Sequence, residues 1–466
     1  MTLKQAQEML AKKELSPQEL TRDFLKRAHE LNPKLNAYLS IFENAPGGLP
    51  CAIKDAIMVE GEKCTAGSKI LENYVASYNA TVVKKLRAWG ASILGKANCD
   101  EFTMGSTGEY SAFGVTLNPF DETRVAGGSS SGSAAAVAAE MALFSLGTDT
   151  GGSIRLPAAW CGVVGLKPTY GRVSRHGEIP MASSLDQIGP ITKTVEDAAI
   201  VMNVIAGHDP LDSTSSPKPV PDYTANLGKE IKNLRVAVVK EFFGKGLDAQ
   251  VEASVKKAIA QLETVGAKVD EVSLPMSDYA LAAYYVIVPS EVSANCARYD
   301  GIRYGYSEAK SDLPDSQVRK RKAKNLLEVY EFSRSEGFGP EVQRRIMIGT
   351  YALSAGYYDA YYKKAQQVRT LIRQDFDRIF KNYDVIVGPA SATMAPKVGE
   401  FDNPLAFYLA DIYMIQANLA GLCAIYVPCG FGTIDGVKLP IGLQIIGNRF
   451  QEETILKVAY IYESNH

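Results

Sequence analysis

Three short stretches of the chain carry hydroxyls, an amine and glycines in an arrangement suited to acyl transfer: CAIKD with Lys54, GGSSSGS with Ser129, and GTDTGGSIRLPAAWCGVVGLKPT with Ser153. That reaction needs a nucleophile, a group that takes its proton, and donors facing the oxyanion. Ser153 follows Thr150-Gly151-Gly152, where two residues without Cβ let backbone N–H groups converge on a substrate carbonyl as an oxyanion hole. With only 4 histidines in the chain, the remaining base for a serine is a lysine, and Ser–Lys pairs are a known variant of triad logic. Lys54 sits in the apolar, strand-like LPCAIKDAI, where desolvation favours the neutral amine that accepts a proton. Bringing a lysine from about 10.4 to about 7 takes roughly 4–5 kcal/mol against the charged form, which burial can supply. Asp55 would oppose that shift if it pointed inward, so it is expected to face elsewhere. Each stretch alone also has a plainer reading as a helix N-cap, a solvated strand end or a loop; their occurrence together favours chemistry.

Two other matches fail on context. GASILGKA, residues 90–97, approaches a phosphate-cradling loop, but Ala97 replaces the Mg²⁺-binding hydroxyl and the stretch leaves a helix to enter a strand, the reverse of that motif. GSSSG, residues 128–132, satisfies a nucleophile elbow at Ser130, which requires a buried strand before it and a histidine after it. The preceding TLNPFDETRVAGG is polar and broken by Pro119, and only His176, His208 and His466 follow, two in loop-like sequence and one at the end.

Elements that could position these groups alternate along the chain. Ser16-Pro17-Gln18-Glu19 is a capping box opening a helix expected to stop near Asn32-Pro33. TVVKKLRAWG, KTVEDAAIVMNVIAG, QVEASVKKAIAQLETVG and YKKAQQVRTLIRQDFDRIF have helical spacing; ASILGKAN, LRVAVVK, KVDEVSL, DVIVGPA, AIYVPCG and IGLQIIG read as strands. That grammar predicts an α/β fold with a mixed, mostly parallel sheet flanked by helices on both faces. At 466 residues and 46% hydrophobic content the chain can bury a large core, and 50 basic against 52 acidic residues supply no field that recruits nucleic acid or an anionic membrane. Seven scattered cysteines without a CxxC argue against a disulfide framework and a zinc site, and no run of about 18 apolar residues or signal-like leader occurs, so a cytoplasmic protein is expected.

The three stretches resemble the amidase signature family, with its Gly/Ser-rich core and Ser-cisSer-Lys triad. The resemblance implies Ser153 as acyl nucleophile, Ser129 as bridging serine after a cis Gly128–Ser129 bond, and Lys54 as base, with residues 131–139 starting a buried helix behind them. It implies one domain over residues 1–466: N-terminal helices at 1–40, the signature core at 41–208, a surface loop at 209–226, and the remainder with specificity helices at 227–466. ANCDEFTMGSTGEYSAFGVTLNPFD, RRIMIGTYALSAGYYDAYYKKAQQVRT and DIYMIQANLAGLCAIYVPCGF are similar to the glutaminase members of the family that serve tRNA-dependent amidotransferases. Free glutamine carries an α-carboxylate and an α-ammonium, so its pocket needs a cation and an anion. The similarity implies Arg344, or Arg345 beside it, for the first and Asp411 for the second. It also implies two partners, the B and C subunits of an amidotransferase, with charged tRNA handled through the B subunit, ATP and Mg²⁺ on that partner, and no cofactor in this chain. The products would be Gln-tRNA(Gln) and in some lineages Asn-tRNA(Asn). The readings set against this one are a stand-alone amidase for another amide and a non-catalytic scaffold subunit.

Overall fold

A computed structural model describes residues 1–244, 246–307, 323–401, 408 and 410–465; His466 lies outside them. The strands are β1 (Tyr38–Ile41), β2 (Leu49–Lys54), β3 (Ala91–Ala97), β4 (Leu117–Asn118), β5 (Asp121–Val125), β6 (Phe144–Thr148), β7 (Val164–Lys167), β8 (Ile188–Thr192), β9 (Arg235–Val239), β10 (Lys268–Val272), β11 (Val385–Pro389), β12 (Cys423–Ile434) and β13 (Val437–Gly447). Eleven of them form one sheet in the order β1-β3-β2-β6-β8-β7-β12-β13-β11-β9-β10, and β4 pairs with β5 apart from it. Parallel pairing occupies the flanks, β3-β2-β6 and β11-β9-β10. Antiparallel pairing fills the centre from β6 to β11 and also adds β1 to β3 at the edge; β12 and β13 join through the two-residue turn Asp435-Gly436, both at positive φ as such a hairpin requires.

The α/β expectation holds, with both sheet faces buried. Cys51 and Ile53 of β2, Val385 and Val387 of β11, and Leu443 and Ile445 of β13 enter one core; Ala52, Ile386 and Ile446, one residue out of step, enter cores on the other face. The first core is covered by helices such as Thr81–Trp89, Val195–Ile205 and Glu452–Ser464, the other face by Ser131–Ala138, Arg155–Cys161 and Ala280–Cys296. All seven cysteines are buried and unbridged. No helix among the described residues is long and apolar enough to cross a membrane.

Ser16 and Glu19 form the capping box, but the helix runs through Pro33 to Leu35 and ends at Asn36, in the left-handed region at φ 50°. The bond that Pro33 cannot donate is offset one residue earlier, where the Asn32 side chain donates to Tyr38 O (3.0 Å) and accepts from Tyr38 N (2.7 Å). The stretch before GGSSSG does contain a strand, β5, though among the described residues it pairs with β4 and, by one bridge from Arg124, with Lys397, and it is half open to solvent. Gly90 caps the helix Thr81–Trp89 before β3, the helix-to-strand polarity expected of GASILGKA. Residues 209–226 hold no helix or strand.

Candidate active site

Lys54 ends β2 and Thr148 ends β6, its parallel neighbour, so both side chains emerge where parallel strands deliver ligand-facing groups. The Lys54 ammonium is 0% exposed and meets three hydroxyls: Ser129 Oγ at 2.7 Å, Thr148 Oγ1 at 2.8 Å and Ser130 Oγ at 2.9 Å. Burial brings Lys54 down to about 8, against the opposing pull of Cys99, Asp100, Glu178 and Asp149. Asp55 is buried as well but turned away, paired with Lys96 at 3.1 Å and accepting the Thr65 N–H at 2.9 Å. Ser130 donates to Thr148 O and accepts the Thr148 N–H, both at 3.2 Å, so its proton is engaged and it can only accept from Lys54.

Ser129 and Ser130 lead into Ser131–Ala138, a helix of small residues buried through Val137. Only small residues fit: a side chain on Gly132 would begin 2.1 Å from Ala37 O. The Gly128–Ser129 peptide bond is cis, and Ser129 O accepts from Asp100 N at 3.2 Å. Ser153 lies in the turn between β6 and the helix Arg155–Cys161, and its carbonyl accepts Ser130 N at 3.1 Å, which fastens the two serine segments together. The Ser153 side chain is 8% exposed, and its hydroxyl has no hydrogen-bond partner among the described residues.

Buried Asp149 organises that turn by accepting Gly152 N (2.9 Å) and Ile154 N (3.2 Å), with the Arg155 guanidinium at 3.0 Å. Burial works against its charge, yet Arg155 prevails and holds the carboxyl at about 2. The Gly152 N–H is thereby engaged, whereas those of Thr150, Gly151 and Ser153 have no partner among the described residues. The Tyr284 hydroxyl lies 2.2 Å from where a Gly151 side chain would start, and Gly152, at φ +131°, packs on Met414. Neither position admits a Cβ.

The two arginines part company. Arg344 is 39% exposed on its side chain, and Arg345 is 3% exposed. Both pair with buried Glu341, and Arg345 Nε donates to it at 2.8 Å. The Arg345 guanidinium lies 5.6 Å and 5.7 Å from the rings of Tyr285 and Tyr408, while its terminal nitrogens have no partner among the described residues. The fields of Arg345 and, more weakly, Arg155 reach Asp411, a buried carboxyl that accepts Ser106 Oγ–H at 2.5 Å and that burial lifts to about 7. The Tyr285 hydroxyl, buried beside both, has no partner among the described residues. Ser130 was weighed from sequence only as an elbow nucleophile, and Thr148, Ser106, Tyr284 and Tyr285 were not singled out. The first two lie inside the quoted motifs, but the Tyr284-Tyr285 pair sits in a helix with no local mark of function.

Residues 47–456 match the amidase family. The chain belongs to that family. Among amidase-family relatives, the A subunit of the glutamyl-tRNA(Gln) amidotransferase of Caldanaerobacter subterraneus subsp. tengcongensis is 54% identical, covering 99% of this chain and 96% of the relative. The protein of the same name from Geobacillus kaustophilus is 53% identical, covering 98% and 95%. The crystal structure of the corresponding A subunit of glutamyl-tRNA(Gln) amidotransferase from Thermotoga maritima superposes with a TM-score of 0.80 at 43% identity, over 98% of this chain and 93% of that one. The peptide amidase of Stenotrophomonas maltophilia, 28% identical, gives 0.80 over 100% and 96%. Among the described residues of this amidase no group of three or more His, Cys, Asp or Glu could hold a metal ion.

Proposed function

We propose that this protein is the glutaminase of a glutamyl-tRNA(Gln) amidotransferase, supplying ammonia for conversion of Glu-tRNA(Gln) to Gln-tRNA(Gln). The observation that carries the chemistry is the buried Lys54 amine, 2.7 Å from Ser129 Oγ and brought down to about 8. The relatives' names support the amide and the tRNA. In this mechanism uncharged Lys54 takes the Ser129 proton as Ser129 takes that of Ser153. Ser153 Oγ bonds to the glutamine amide carbon, and the N–H groups of Thr150 and Gly151 face the oxyanion, that of Gly152 being held by Asp149. The C–N bond then breaks, ammonia leaves with the relayed proton, and water cleaves the glutamyl ester to glutamate. Arg345 takes the α-carboxylate and Asp411 the α-ammonium, a division that the burial of Arg345 and the exposure of Arg344 support.

The whole chain, residues 1–466, works in this reading as one amidase domain in the cytoplasm. The B subunit of the complex holds tRNA, ATP and Mg²⁺, and the C subunit completes the assembly. Ser153→Ala is expected to abolish glutamine hydrolysis in the purified complex and to leave transamidation with added ammonium. Loss of both activities in a folded complex would overturn the division of labour.

A further inference from the structure

We infer that Asp186 is a positioning residue for the turn that carries the nucleophile, acting through the side chain of Thr150. This rests on Ser153 being the nucleophile of the proposed reaction. The turn from Asp149 to Ser153 is held from two sides. From within, the Asp149 carboxylate binds Gly152 N and Ile154 N. From outside, Asp149 N donates to Gln187 O at 2.8 Å and Thr150 Oγ1 donates to Asp186 Oδ1 at 2.6 Å. Asp186 is itself fixed, because Met181 N and Ala182 N donate to its carboxylate at 3.0 Å; Asp186 and Thr150 are each 1% exposed.

Its segment is anchored beyond the turn. The Asn295 amide donates to Met181 O at 3.1 Å, Ser184 N donates to Glu291 at 2.9 Å, and the Arg369 guanidinium donates to Ser184 O at 2.9 Å. Glu291 and Asn295 belong to Ala280–Cys296, the helix whose Tyr284 hydroxyl lies against Gly151. Besides a long bond from Asn418 Nδ2 to Asp149 O (3.4 Å), the peptide groups of Thr150 and Gly151, with N–H groups free to meet an oxyanion, have the Thr150 hydroxyl as their side-chain tether to a rigid support among the described residues. Cutting that tether leaves the nucleophile and the glutamine-binding groups in place while the donors lose their aim, so the damage falls on turnover more than on binding.

The test is a double-mutant cycle on the assembled full-length protein with glutamine. Thr150→Val and Asp186→Ala are each expected to lower kcat about 10- to 100-fold with KM changed less than about threefold, on the scale of misaligning one oxyanion donor. The double variant should lose no more than the worse single one, and Thr150→Ser should recover most of what Thr150→Val loses. Losses that multiply, a change confined to KM, or an unaffected kcat in the near-isosteric Thr150→Val overturn the inference. Fluorophosphonate labelling of Ser153 reads the same turn without glutamine: slower labelling in both single variants is expected, and equal rates overturn it. A wild-type complex that ignores glutamine, with labelling still slower in both single variants, would refute the glutaminase reading and leave this inference standing.

Discussion

At the scale of single residues the decisive quantity is the charge on Lys54. At pH 7.5 an amine titrating at about 8 is neutral in roughly a quarter of molecules, whereas one left at its ordinary 10.5 would be neutral in about one in a thousand. Burial therefore raises the reactive population by a factor of a few hundred. The sign follows directly from the proposed mechanism: there the free amine is the active form, so kcat is expected to rise with pH and level off above about 8. In that mechanism Asp411 acts separately, because it must be ionised to hold an ammonium and burial lifts it to about 7. The glutamine KM is expected to fall as pH rises through about 7. Steady-state profiles between pH 6 and 9 check both, and a kcat flat across that range would remove Lys54 as the base.

At the scale of elements, specificity depends on how two helices cross. Pro340–Leu353 carries Arg345 and Ala280–Cys296 carries Tyr284 and Tyr285; they touch where a side chain on Gly349 would start 1.8 Å from Pro289 O. Gly349→Ala is expected to force them apart at about 1–3 kcal/mol of stability and to raise the glutamine KM more than it lowers kcat, read by thermal melts alongside kinetics. On the same helix, Arg345→Ala should raise that KM roughly 10- to 100-fold, since hydrogen bonds to a charged group contribute about 1.5–3 kcal/mol, while Arg344→Ala stays within about threefold. The reverse ranking would move the carboxylate site to Arg344. The contrast between these neighbours marks where sequence stops being informative. The candidates Lys54 and Ser153 were legible because the proposed chemistry demands glycines and apolar flanks close by in the chain, and Ser129 was legible through the family resemblance. The capping box at Ser16 and the long apolar runs of β12 and β13 were legible for the same local reason. Arg344 and Arg345 share one set of neighbours, and only the packing of Glu341, Tyr285 and Tyr408 separates them. Short strands such as β6 and β7 carry too few residues to show a period, so the central antiparallel pairs were not legible.

At the scale of the molecule the sheet is two contiguous halves. Strands β1, β3, β2, β6, β8 and β7 make one and β12, β13, β11, β9 and β10 the other, joined where β7 pairs with β12. Lys54, Ser129 and Ser153 belong to the first half, Arg345 and Asp411 to the second, so their alignment depends on what crosses the seam. Beside it lies Arg155, 0% exposed, which grips Asp149 in the first half and donates to Gln444 and Asn418 (2.6 Å each) and Met414 O (3.2 Å) in the second. Arg155→Met leaves Asp149 buried without its main cation, a loss on the order of 3–5 kcal/mol. Its pH dependence has a definite sign. In the wild type the carboxyl titrates at about 2, below its ordinary 3.8, so its stabilisation is complete above about pH 4 and is lost only as pH falls through about 2. Without the guanidinium, burial is the prevailing influence, the carboxyl rises above its ordinary value, and its ionisation opposes folding. The gap in melting temperature between wild type and Arg155→Met is therefore expected to be widest near neutrality and to narrow as pH falls toward about 4. A gap constant from pH 8 to pH 5 would mean that Asp149 is neutralised by some other group, and that the two halves are held in register without Arg155.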